Sequence, residues 1–137
     1  NNDIVVPKGR VPELYALVAR LESQYGLPIP SFGHAGDGNI HVNIMASASD
    51  ADAVARARAA EAALFEGVIA LGGAISGEHG VGFTKAPYLG LGIDPPTMAL
   101  MRRVKAAFDP LGLLNPGKIF PDPGGQAPGA GLRGPSA

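Results

Sequence analysis

The chain has 137 residues, 46% of them hydrophobic, and carries 11 basic against 12 acidic side chains for a net charge of −1. This composition supports one ordinary domain core, and without a basic stripe it argues against nucleic acid as a partner. The absence of cysteine excludes a disulfide framework and a thiolate metal site and fits a reducing compartment; no run approaches the ~18 apolar residues of a membrane span, and no signal peptide stands out.

The first segment, "DIVV" (Asp3–Val6), is a short β-rich run closed by Pro7. From Arg10 to Tyr25, Val11, Leu14, Val18, Leu21 and Tyr25 recur at helical spacing, with Pro12 in the first turn and Gly26 as a natural C′ residue. Ile29–Ala35 reads as a second strand. Asn39–Met45 alternates as a third, with Ile40, Val42 and Ile44 on one face and His41, Asn43 and Met45 on the other. Ser49 or Asp50 caps an Ala-rich helix running to about Leu71, with Val54, Leu64, Phe65, Val68 and Ile69 in its apolar stripe. "GAIS" (Gly73–Ser76) is a fourth short strand. A loop over Gly77–Gly92 leads to a helix capped by Asp94, opened by Pro95 and ending near Phe108, where Met98 and Met101 are expected in the core.

The order β-α-β-β-α-β is the split-βαβ, ferredoxin-like pattern of an α+β fold: an antiparallel sheet with both helices on one face, here with a C-terminal helical extension. Residues 1–120 form the expected domain. "PDPGGQAPGAGLRGPSA" (121–137), rich in Pro and Gly, reads as a flexible tail. The abrupt start "NNDIVVP" and the loose end read as the C-terminal piece of a longer protein.

Two of the three histidines lie in "FGHAGDGNIHVNI" (32–44). Taking Asp37-Gly38 as a two-residue hairpin turn pairs His34 with His41, their Cβ atoms roughly 4.5–5.5 Å apart. A histidine pair on a strand is more often a hydrogen-bonded surface pair than a ligand set. The third histidine, His79, shifts that balance, since it adjoins Glu78 in the second glycine-rich stretch "SGEHGVG". Two His and one Glu make the 2-His-1-carboxylate set used by Zn, Mn and Fe sites, and Gly77 and Gly80 permit the turn that lets adjacent residues face one site. The remaining motifs are weak. "GDGNIH" fails the dinucleotide fingerprint, "GVGFTK" the P-loop spacing and "AISGE" the nucleophile elbow. Ser76 reads as a cap, Asp37 as the turn residue, and Lys85 and Lys118 as surface cations, with steering of an anionic ligand as the alternative for either.

"FGHAGDGNIHVNI", "GGAISGEHGVGFTK" and "FDPLGLLNPGKIF" together resemble the C-terminal domain of FAD-linked oxidases, a group that includes glycolate oxidases, D-lactate dehydrogenases and D-2-hydroxyglutarate dehydrogenase. The resemblance runs from about Asp3 to Phe120. It implies a substrate-side cap domain of a vanillyl-alcohol-oxidase-like flavoprotein, in which an N-terminal domain binds FAD and a D-2-hydroxy acid is oxidised to the 2-oxo acid. Carried over residue by residue, it implies His34, His41 and Glu78 as ligands of a divalent metal (Zn, Mn or Fe), Asn43 as a substrate contact, His79 as general base and Asn115 near the flavin. The expected partners are a small 2-hydroxy acid, the N-terminal FAD-binding domain and an unidentified electron acceptor; a second copy of the chain is a further candidate. The expected location is cytoplasmic, with membrane association only through an electron-transfer partner. With no FAD-binding domain of its own, the chain is expected to show no dehydrogenase activity and to hold no tightly bound flavin. The competing expectation is a stand-alone ferredoxin-like metal- or ligand-binding module without redox activity.

Overall fold

A computed structural model of the chain describes residues 1–34 and 36–120; the tail expected over 121–137, and Ala35, lie outside the described residues. The elements run β1 (Asn2–Val5), a 3-10 turn (Lys8–Arg10), α1 (Val11–Tyr25), β2 (Ser31–His34), β3 (Asn39–Val42), α2 (Ala51–Ala70), a second 3-10 turn (Ala86–Tyr88), α3 (Leu89–Gly92) and α4 (Pro95–Phe108). The class is α+β, as the sequence implies.

Helix α1 buries Leu14, Leu17, Val18 and Leu21, one stripe at i, i+3, i+4, i+7. It ends at Gly26, whose φ of 60° is the left-handed conformation that glycine adopts without steric cost. Arg56 reaches from α2 to donate to the Tyr25 and Gly26 carbonyls, at 2.5 and 3.2 Å, and so satisfies helix-end acceptors. Helix α2 is capped by Asp50, whose carboxylate accepts from the Asp52 and Ala53 N–H groups. Leu64, Phe65 and Val68 of α2 are fully buried with Ile4 of β1 and Ile40 and Val42 of β3 in a single cluster, so both long helices cover the same sheet face. Each such side chain contributes about 1.5–3 kcal/mol by leaving water.

The sheet is antiparallel in the order β1-β3-β2. In β1 and β3, Asp3 pairs with His41 and Ile4 with Ile40; in β2 and β3, Phe32 pairs with His41 and His34 with Asn39. The hairpin therefore departs from the expected register, because His34 does not stand opposite His41. Both Asp37 and Gly38 donate their N–H groups to the His34 carbonyl, so four residues (35–38) lie between the paired positions. Gly38 is drawn under β1: its carbonyl accepts from Val6 N–H, its φ is +81°, and a Cβ there would sit 2.0 Å from the Val6 carbonyl oxygen. The slip is of two residues, so the faces survive. Ile40 and Val42 still point at the helices, and His41 still points away.

The fourth strand expected over Gly73–Ser76 is reduced to one antiparallel bridge, Val5 to Ala74, with both hydrogen bonds made at 3.1 and 2.8 Å. Beyond Ala74 the backbone N–H groups turn to a side-chain acceptor instead of a strand. Met98 and Met101 are only half-buried, and no residue of α4 is buried. The α4 region instead carries Leu100, Val104, Phe108, Leu111, Leu113 and Leu114 exposed. Among the described residues, no helix is long and apolar enough to cross a membrane.

Candidate functional site

The sheet face opposite the helices gathers three of the expected residues. His41 occupies the central strand, flanked by Asp3 on β1 and Phe32 on β2. The turn that follows the Val5–Ala74 bridge lies over this position and delivers Glu78 and His79. The His79 ring stacks on His41, with centroids 5.4 Å apart and planes at 26°. A Glu78 carboxylate oxygen, Oε1, stands 3.7 Å from His41 Nε2 and 3.8 Å from His79 Nε2. His41 is mostly enclosed, at 13% side-chain exposure, whereas Glu78 and His79 remain open at 55% and 57%.

His41, Glu78 and His79 each offer a donor atom, all within 4.8 Å of one another. The 3.7 and 3.8 Å separations are too long for hydrogen bonds. They are short enough for one ion with ligand distances of about 2.1 Å to span. The donor set, two imidazoles and a carboxylate, suits a divalent transition metal, with His79 standing where the expected ligand set has His34. His34 stands apart from this trio: its exposed ring meets His41 edge-on at a centroid distance of 6.5 Å. Asn43, half-buried, follows the end of β3 on the same alternation as His41, and its N–H donates to the Pro30 carbonyl. Asn115 is exposed in a turn with a φ of 47°, its side-chain oxygen accepting from Lys118 Nζ at 3.0 Å. The same segment returns to the glycine-rich loop, where Ile119 N–H donates to the Gly82 carbonyl at 2.6 Å.

Two residues outside the expected site set build the site from below. Asp3 is 1% exposed, and its Oδ2 accepts from the backbone N–H groups of Gly77, Glu78 and His79 at 3.0, 2.8 and 2.8 Å. Burial pushes the Asp3 carboxyl up, but these N–H donors and the nearby Lys85 outweigh it and hold the group below its ordinary range. Lys85, expected at the surface, is buried, and its Nζ donates to the Asp3 carbonyl at 2.6 Å. Desolvation pulls the ammonium down from its usual value, against the opposing charges of Asp3 and Glu61. The only trace of Asp3's role in the sequence is an acid on the far-face parity of an otherwise apolar strand; for Lys85 there is none, because a lysine several residues past a turn looks like any surface lysine.

Comparison with known proteins gives the geometry a context. Residues 1–119 match the family described as FAD linked oxidases, C-terminal domain. Among curated proteins, the chain is 42% identical over 118 residues to the glycolate oxidase protein GlcD of Bacillus subtilis, covering 86% of this chain and 25% of that protein. It is 44% identical over 125 residues to D-2-hydroxyglutarate dehydrogenase of Stutzerimonas stutzeri, covering 87% and 26%, and 37% identical over 118 residues to D-lactate dehydrogenase of Anaerostipes hadrus, covering 85% and 25%. The chain thus spans about a quarter of the length of these relatives.

Proposed function

Because the chain belongs to the family of FAD-linked oxidase C-terminal domains, we propose that it is a C-terminal, substrate-side piece of a flavin-dependent D-2-hydroxy-acid dehydrogenase or oxidase of the glycolate or D-lactate type. In this reading its three-stranded sheet, with Ala74 bridged to Val5 outside β1, is a ferredoxin-like fold whose fourth strand has shrunk to one pair. The observation that supports the chemistry best is the Glu78 carboxylate oxygen lying between the ring nitrogens of His41 and His79.

His41 and Glu78 would hold a divalent metal, Zn, Mn or Fe, with His34, exposed on β2, as the third ligand that the family resemblance implies. Bound there, the metal supplies Lewis acidity that lowers the pKa of a substrate hydroxyl. FAD, held mainly by polypeptide outside this chain, supplies the hydride acceptor. His79 receives the hydroxyl proton at a ring nitrogen. Asn43 binds a substrate oxygen, and the ring of Phe32, 5.4 Å from His41, borders the site on that side. A D-2-hydroxy acid bound here would give its hydroxyl proton to His79, while FAD, when bound, would supply the acceptor for the C2 hydride, so that the two losses together yield the 2-oxo acid. Asn115, with its exposed amide, would meet the flavin edge.

Titration of the chain with Zn2+ tests the ligand assignment. His41→Ala, Glu78→Gln and His34→Ala should each weaken binding at least about tenfold, with affinity falling as pH drops through the imidazole range; His79→Ala should bind nearly as well as the parent. Loss of binding in His79→Ala with retention in His34→Ala would hand the third position to His79 and remove it as base. Binding indifferent to all four changes would sink the metal reading. The purified chain should also show no flavin absorbance.

A further inference from the structure

We propose that Asp3 is the positioning residue of this site: one carboxylate oxygen fixes the turn that carries Glu78 and His79, and the other fixes the tautomer of His41. The role toward the metal rests on the reading of the site given above; the role toward the turn and the imidazole stands without it.

The first half is visible as hydrogen bonds. A single oxygen, Oδ2, accepts from three successive backbone N–H groups, and Ser76 Oγ lies 3.5 Å away. Three consecutive N–H groups pointing at one anion form a nest, a strongly ordering arrangement. Here the anion is a side chain of β1, 74 to 76 residues upstream of its donors. The turn is thereby fastened to the sheet directly beneath His41.

The second half follows from what is left over. The other oxygen, Oδ1, is buried without a hydrogen-bond partner, and so is His41 Nδ1. The two atoms face each other at 3.9 Å across the directly paired positions of β1 and β3. Asn39 Oδ1, which among the described residues is the other unpartnered buried oxygen, is an acceptor and cannot serve Asp3. At 3.9 Å the pair is too long for a hydrogen bond, but a proton on His41 Nδ1 turns the positive end of an N–H dipole toward the buried carboxylate, whereas a bare Nδ1 would set two lone pairs against each other. Protonation at Nδ1 also leaves Nε2, the nitrogen facing Glu78, with a free lone pair. A carboxylate behind the imidazole is the arrangement that fixes the tautomer and ring orientation of a metal-binding histidine.

The experiment uses the full chain, labelled with 15N. Long-range 15N–1H spectra should show His41 as the Nδ1–H tautomer. An Nε2–H tautomer in the unmodified chain would overturn the proposal with no variant needed. Asp3→Asn keeps the size and one acceptor for the turn but turns an amide N–H2 toward Nδ1. His41 should then switch to Nε2–H, and Zn2+ affinity should fall roughly ten- to a hundredfold. Asp3→Ala should in addition speed amide exchange at Gly77, Glu78 and His79. An unchanged tautomer in Asp3→Asn, with Zn2+ affinity within about twofold of the parent, would refute the assignment, since loss of a carboxylate behind a ligating histidine costs more than that. Failure of the unmodified chain to bind Zn2+ would strike the metal reading alone, because the tautomer and the exchange rates decide Asp3's role independently.

Discussion

Two glycines flank the Glu78-His79 pair, and they do different work. Gly80 has a φ of +77° and open space around it, so its contribution is conformational freedom. Gly77 is there for room: a Cβ would lie 2.8 Å from Asp3 Oδ1 and 2.9 Å from Asn39 Nδ2, both on buried side chains. Gly77→Ala should therefore cost about 1–3 kcal/mol of stability through overpacking and weaken Zn2+ binding, read by thermal melting and titration. Gly80→Ala should cost about 1 kcal/mol of backbone strain and disturb binding less. The sequence suggests that both glycines matter but assigns both to turn freedom. Steric room depends on what arrives from residues 3 and 39, which no local pattern around position 77 encodes. The same limit hides Asp3, whose partners lie at 76 to 79.

At the scale of elements, the helices follow local rules and the hairpin does not. The Asp94 and Asp50 caps, the Gly26 terminus and the apolar stripe of α1 all appear where sequence places them, because each is decided within one or two turns of chain. Asp37-Gly38 alone predicts one hairpin register, yet the register is set by Gly38 docking on Val6, a contact that depends on β1. Alternation protects the important part of the expectation, since a slip by two leaves His41 on the same face. Gly33 enforces the register: a Cβ there would lie 2.3 Å from the Asn39 carbonyl oxygen, a backbone atom that cannot move alone. Gly33→Ala should destabilise the chain by about 2–3 kcal/mol, with loss of amide protection across β2 and β3 in hydrogen-exchange spectra.

Taken whole, the described residues form a core between the sheet and α1 and α2, and an outlying C-terminal region. Helix α4 is held by its Asp94 cap and a Lys105–Asp109 ion pair, and none of its residues is fully buried. Its amides should exchange far faster than those of α1 and α2, because opening it exposes little new surface. Within the core, Tyr88 donates to Glu61 at 3.2 Å, and its phenol is pushed up to about 12 by burial and by the Glu61 charge and hydrogen bond. An unfolded tyrosine ionises near ~10. Between those values the folded chain keeps a proton that the unfolded chain loses, so stability should fall as pH rises from about 10 to about 12, by roughly 2 kcal/mol. Denaturant melts across that interval should show the decline, and Tyr88→Phe should remove it. The nest that Asp3 makes with residues 77–79 also has a kinetic meaning. It joins positions 74 to 76 residues apart in sequence, and such a contact forms only after the intervening halves have docked. It should therefore be absent from the folding transition state, leaving the folding rate little changed while acting as a latch that must open early in unfolding.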